Sequence, residues 1–198
     1  VASGGTFDLS LADAAFVGEE AGDSSGWSVS SAGDVDGDGL DDILIGARHN
    51  ADGGVDAGKT YLFLGSSVAS GVTFDLSLAD AAFIGESAGD KSGMSVSSAG
   101  DVDGDGLDDI LIGAYGYDGG GGLSAGKAYL FLGSTVALGG TFDLSVADAD
   151  FVGENEGDYC GSSVSSAGDV DGDGLDDILV GAYGNDDGGS IAGKTYLL

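Results

Sequence analysis

Apolar residues alternate with small polar ones along most of this 198-residue chain, in short runs broken by glycine and aspartate. Trp27–Ala32 (WSVSSA) alternates with the period of a strand. Ile43–Ala47 (ILIGA) is apolar throughout, which predicts a strand buried on both faces. Lys59–Gly65 (KTYLFLG) alternates again and is rich in aromatics, the composition of a pleated surface. Thr73–Ser77 (TFDLS) and Ala82–Glu86 (AFIGE) predict one or two further short strands, with the LADAA between them as a helical turn. No stretch predicts a long helix. The same order then recurs. Phe7, Phe74 and Phe142 are spaced 67 and 68 residues apart, and Asp34, Asp101 and Asp169 repeat those two spacings. A period this long implies stacked or radial repetition. Four short strands per period predict an all-β, β-propeller-like fold of four-stranded antiparallel blades. The expected divisions are residues 1–25, a terminal strand segment completing a neighbouring blade, then blades at 26–92 and 93–160, and an incomplete blade at 161–198.

Between the first two strands of every period stands the same nine-residue stretch, DVDGDGLDD, at Asp34–Asp42, Asp101–Asp109 and Asp169–Asp177. Its carboxylates occupy positions 1, 3, 5 and 9. Alternating aspartates in a tight turn aim hard oxygen donors at one centre, as calcium requires. Without a cation, four converging carboxylates would each oppose the ionisation of the others. Gly37 and Gly39 supply positive-φ positions that a β-carbon would penalise. Leu40 at position 7 is expected to offer its carbonyl while its side chain turns inward. The beginning matches an EF-hand loop, but the end does not. An EF-hand places a bidentate Glu at position 12 and helices on both sides. Here position 12 is Ile45, Ile112 or Val180, inside the apolar strand. The expectation is a calcium loop joining two strands, one ion per loop and three per chain. An ion-free Asp-Gly hairpin turn is the plainer reading, and three identical copies weigh against it.

Charge narrows the function classes. The formal net charge is −30, from 35 acidic and 5 basic residues. Nucleic acid and anionic membrane surfaces are poor partners for such a surface, because both need clustered Lys and Arg. Three calcium ions would still leave about −24, by the loop stoichiometry of one ion each. Cys160 is the single cysteine, so no internal disulfide forms, and Ser25 and Ser92 hold its place in the other repeats. A small buried residue is expected there. These residues show no signal-peptide pattern, transmembrane run or initiator Met, and because Val1 falls in mid-pattern a processed or excised segment is expected.

Enzymatic chemistry finds little support. Glu19, Glu86 and Glu154, and Asp23, Asp90 and Asp158, recur with every period, whereas catalysis needs one asymmetric constellation. A structural role as turn caps or outer partners is expected for them. His49 occurs once, in a variable loop, and no nucleophile elbow accompanies it. Asp8, Asp75 and Asp143 are expected on the solvated side of a strand. Recognition is better placed in the variable loops RHNADGGVDA, YGYDGGGGLSA and YGNDDGGSIA. Tyr115, Tyr117 and Tyr183 are their most binding-like residues, while Tyr61, Tyr129 and Tyr196 with Phe63 and Phe131 are expected in the core.

The succession Gly26-Trp27-Ser28-Val29, Asp34–Asp42, Gly46-Ala47, recurring from Gly93 and Gly161, resembles the FG-GAP repeat of integrin α-subunit β-propellers and bacterial secreted proteins. The resemblance covers the whole chain. It implies one blade per repeat and calcium bound by Asp34, Asp36, Asp38, the Leu40 carbonyl and Asp42. By position it adds Asp101, Asp103, Asp105, the Leu107 carbonyl and Asp109, and then Asp169, Asp171, Asp173, the Leu175 carbonyl and Asp177. It also implies an extracellular or cell-surface setting. The motif's aromatic and proline are replaced, by Trp27, Met94 and Ser162 and by Arg48, Tyr115 and Tyr183, which leaves the family's ligand surface unsupported. Three repeats are too few to close a propeller of four to eight blades. Thr6–Gly18 is therefore expected to complete a blade of a neighbouring copy by strand complementation, giving a ring or a filament. Covalent continuation into adjoining repeats is the alternative. The functional expectation is a calcium-stabilised, self-assembling structural repeat protein. Its alternative is a cell-adhesion module binding carbohydrate or protein.

Overall fold

The computed structural model describes residue 6 and residues 8–68 and 72–198. Residues 1–5 and Phe7, which belong to the expected terminal strand segment, lie outside them. The described strands are β1 (Ala14–Val17), β2 (Ser28–Gly33), β3 (Asp42–Ala47), β4 (Lys59–Phe63), β5 (Val72–Asp75), β6 (Ala81–Ile84) and β7 (Ser95–Gly100). They continue with β8 (Asp109–Ala114), β9 (Lys127–Phe131), β10 (Gly140–Asp143), β11 (Ala149–Val152), β12 (Cys160–Gly168), β13 (Asp177–Ala182) and β14 (Lys194–Leu197). The first blade-like sheet is β2-β3-β4-β6, the second β7-β8-β9-β11, and the third β12-β13-β14, each antiparallel within itself.

The expectation of purely antiparallel four-stranded blades needs correction at one strand per period. The TFD strands do not join their own sheet. β10 adds in parallel to β6, Phe142 opposite Phe83, and β5 adds in parallel to β1, Phe74 opposite Phe16. Each such strand therefore lies on the outer strand of the sheet before it. The aromatic pairs stack there, with ring centroids 5.3 Å apart for Phe16–Phe74 and 5.4 Å for Phe83–Phe142. Phe63 and Phe131 close each pair edge-on from the next sheet. The chain then turns through one 3-10 turn, Leu76–Leu78 or Leu144–Val146, capped by Asp75 or Asp143. These aspartates, and Asp8 in the first copy, accept the Ser N–H two residues on at 2.9 Å. They are exposed, and their recurrence reflects capping.

The core lies between the sheets. In β3, Leu44 faces the second sheet while Ile45 and Ala47 face the opposite way, and both sets are buried. In β8, Ile110 and Ile112 face the first sheet, and Leu111 packs with Ile178 of the third. Alternation on a two-sided strand thus reads as a continuous apolar run. Close approach of successive sheets depends on Gly46 and Gly113, the glycines of the first two Gly-Ala pairs. Ser28 and Ser95 Oγ donate to the carbonyls of Gly93 and Gly161, both at 2.8 Å. A β-carbon on Gly113 would lie 2.0 Å from the Gly161 oxygen. Gly113→Ala is therefore expected to destabilise the chain by about 2 kcal/mol through overpacking. Urea unfolding measures that loss; an unchanged midpoint would contradict it.

Three of the five basic side chains each pair with two carboxylates, one of them a recurring glutamate. Lys59 meets Glu19 and Asp52, both at 2.7 Å; Lys127 meets Glu86 at 2.7 Å and Asp150 at 3.0 Å. Lys194 meets Glu154 at 2.8 Å and Asp187 at 2.9 Å. The recurring glutamates are thus ion-pair partners. Cys160 is buried and unpaired, and burial pushes its thiol up to about 11.

Candidate metal centres and the opposite loop face

Each DVDGDGLDD loop runs from the end of β2, β7 or β12 into β3, β8 or β13. Aspartate side chains fold the turn onto itself. Asp34 Oδ1 and Oδ2 accept the N–H groups of Asp38 and Gly39 at 3.0 and 2.9 Å, and Asp36 Oδ1 accepts Asp38 N–H at 3.1 Å. The two inner glycines take the left-handed conformation, with φ +75° and +89° in the first loop and similar values in the others. In every loop, oxygens of positions 1, 3 and 9 lie within 4.8 Å of one another: Asp34, Asp36 and Asp42; Asp101, Asp103 and Asp109; Asp169, Asp171 and Asp177.

Position 5 stands apart from these clusters. Asp38, Asp105 and Asp173 instead turn an oxygen to the N–H of Leu40, Leu107 and Leu175, at 2.8, 2.9 and 2.9 Å. The leucine side chains also depart from expectation. Leu40 is 51 % exposed. Leu107 and Leu175 point at Gly37 and Gly104 of the preceding loop, not into their own sheet.

The donor set fits a hard divalent cation, since it is all oxygen and clustered. The position-9 carboxylates are the deepest. Asp42 and Asp109 are 1 % and 0 % exposed. Asp109 accepts N–H from Val102 and Gly133, both at 2.8 Å, tying the loop to the chain after β9. Burial raises both carboxyls, Asp109 to about 6, against the lowering by the N–H groups each accepts, Val102 and Gly133 at Asp109 and Gly65 and Val35 at Asp42. A cation would reverse that penalty.

The variable loops lie at the opposite end of β3, β8 and β13 from the acidic turns. Tyr183 stacks on Tyr159 at 4.9 Å and 4°, and Tyr115 follows at 5.9 Å. Lys91 Nζ donates to Tyr115 Oη at 3.3 Å. In the first repeat, Arg48 lies 3.3 Å over the Trp27 ring. Of the three expected binding tyrosines, Tyr115 and Tyr183 come together, while Tyr117 packs against Lys127 instead. Tyr159 was not foreseen. Its signal is a slot, between a fixed Asp and a small residue, that holds Ser24, Lys91 or Tyr159. All three take positive φ, 55°, 54° and 56°. His49 lies nearby, its Nδ1 3.1 Å from Ser24 Oγ.

Beneath this face, Asp23 and Asp158 accept the side-chain amides of Asn50 and Asn185 at 2.9 and 3.1 Å. Tyr117 holds the amide's place in the second repeat, so Asp90 keeps only the Ser87 N–H at 3.0 Å. Burial pushes its carboxyl up to about 6. The raised group favours folding fully below the unfolded value near 3.8 and loses that contribution as pH rises through about 6. Asp90→Asn should therefore be more stable than the parent chain at pH 8, by about 1–2 kcal/mol, and level with it near pH 4. Paired urea titrations at the two pH values check this. Equal stabilities at pH 8 would refute it.

The FG-GAP repeat matches residues 25–63, 92–131 and 161–198, the segments that carry the acidic turns and their flanking strands. The chain belongs to the FG-GAP repeat family. Integrin alpha-5 of Xenopus laevis is 34 % identical over 177 residues, which is 86 % of this chain and 16 % of that protein. Integrin alpha-PS2 of Drosophila melanogaster is 32 % identical over 176 residues, 85 % of this chain and 12 % of its own length. Integrin alpha-IIb of Mus musculus is 32 % identical over 160 residues, 76 % and 14 %. The chain thus spans 16 % or less of each of these relatives' length. Its FG-GAP repeats are all-β and integrin-like, and their acidic clusters could hold a metal. No helix among the described residues is long and apolar enough to cross a membrane.

Proposed function

We propose that this chain is a non-catalytic, extracellular binding module whose FG-GAP blades are each stapled by one calcium ion. The ligands are Asp34, Asp36 and Asp42 and their counterparts, with the position-7 carbonyl and, at position 5, the oxygen not bonded to the Leu N–H completing the shell. The single observation that carries the reading is the separation of two kinds of loop on one scaffold. Identical acidic turns occupy one end of the strands, and unlike loops with stacked aromatics occupy the other. Invariance suits a fixed ion, and variation suits recognition. Tyr183, half-exposed on the ring stack with Tyr159, offers an aromatic surface for a sugar ring or a protein side chain. Retention of the chain on arrays of extracellular-matrix proteins and glycans, with calcium present, tests this. Tyr183→Ala should abolish the retained signal without changing the far-UV spectrum, and equal retention would overturn the assignment.

A second reading, assembly between copies, is favoured by the parallel strand addition seen twice. Phe151 on β11 stands where Phe16 and Phe83 stand, beside an edge that a TFD strand covers elsewhere. Thr6–Gly18 of a neighbouring copy, or an adjoining repeat, would cover it in the same way. Light scattering and electron microscopy in calcium decide, since polymers or rings support assembly and a uniform monomer opposes it.

A further inference from the structure

Positions 7 and 8 of the acidic turn are identical in all three repeats, yet position 8 is not a candidate ligand. The structure gives it a different task. Asp108, from the second turn, brackets the first residue of the first turn. Its Oδ2 accepts Asp34 N–H at 2.8 Å, and its own N–H donates to the Asp34 carbonyl at 3.1 Å. Asp176 of the third turn does the same to Asp101, at 3.1 and 3.1 Å. The leucine beside each aspartate reaches the same neighbour, Leu107 over Gly37 and Leu175 over Gly104. The geometry leaves room for nothing larger. Gly33 and Gly100 are left-handed, at φ +77° and +78°, and a β-carbon on either would fall 2.1 or 2.0 Å from the bracketing carboxylate.

We propose that Asp108 and Asp176 are positioning residues that couple calcium binding between successive turns. The proposal rests on the reading that each turn holds an ion. Asp108 lies between the Leu107 carbonyl and the Asp109 carboxylate, two donors of its own turn. An ion that draws those donors in fixes the backbone of Asp108. Asp108 in turn fixes Asp34, whose side chain is both a ligand and the acceptor that folds its loop. Occupancy of the second turn thus preorganises the first, and linkage requires the reverse effect to be equal. The acidic turns form a chain of interlocked sites along one rim of the molecule.

A double-mutant cycle tests this on the whole chain, with calcium titrated against the amide signals of Gly37 and Gly39 for the first turn and Gly104 and Gly106 for the second. Asp103→Ala, which removes a ligand of the second turn only, should weaken calcium binding at the first turn about tenfold, within the usual range of coupling between sites. Asp108→Ala should weaken the first turn similarly, and adding Asp103→Ala to it should cause no further loss there. Asp108→Asn, which keeps an acceptor oxygen, should restore most of the affinity and guards against a general loss of fold. First-turn binding that ignores Asp103→Ala, or a loss that persists undiminished beside Asp108→Ala, would overturn the coupling while leaving the calcium reading intact. A parent chain whose glycine signals ignore calcium would overturn both.

Discussion

Excess EDTA is expected to lower the melting temperature of the chain by about 10–15 °C relative to 10 mM calcium. Extracellular calcium modules bind at roughly 10⁻⁴ to 10⁻³ M. At tenfold excess over a 10⁻³ M site, each ion stabilises the folded state by about 1.4 kcal/mol, so three contribute about 4. A domain of this size shifts by about 2–4 °C per kcal/mol. Differential scanning calorimetry in calcium and in EDTA measures the difference. Identical transitions would remove the ion from the account of this fold, and magnesium in place of calcium tests whether size or charge alone matters.

Asp109→Ala should be the most damaging single change at these turns, costing about 3–4 kcal/mol, because it strips the buried Gly133 N–H and the half-buried Val102 N–H of their partner and removes a ligand. The two losses separate cleanly. In EDTA, Asp109→Ala should still be destabilised, since the buried Gly133 N–H and the half-buried Val102 N–H lose their acceptor. Asp103→Ala, at an exposed position that bonds only Asp105 N–H, should match the parent in EDTA and fall behind it only in calcium. Chemical unfolding of both variants under the two conditions distinguishes framework from ligand. If Asp109→Ala were harmless without calcium, its role would be coordination alone.

Much of this architecture was legible because its signals are local and repeated. The period, the alternation of Trp27–Ala32, the two-sided burial of Ile43–Ala47 and the turn glycines all follow from short-range pattern. What escaped was every choice of partner at a distance. TFD reads as a strand, but nothing within it says that Phe142 will lie on Phe83 of another sheet in parallel. Glu19 and Glu86 recur visibly, while their lysines lie 40 and 41 residues further on. The alternating carboxylates are legible as a set, yet only positions 1, 3 and 9 come together, while position 5 stands apart. Position 8 carries no local signal of its role, because its partner belongs to the repeat before it. Tyr159 escaped because a single aromatic carries no pattern until it meets Tyr183.

The lent strands put the folding unit out of phase with the written unit. β6 is finished by residues 140–143, well inside the next period. A protease or an engineer cutting at the seam suggested by the alphabet would therefore leave one sheet ragged and one strand idle. A load applied between sheets would have to slide β10 lengthwise along β6, breaking their bonds together in shear. For a polypeptide exposed to flow or traction, that is a stitched seam, whereas a row of independent beads would come apart joint by joint.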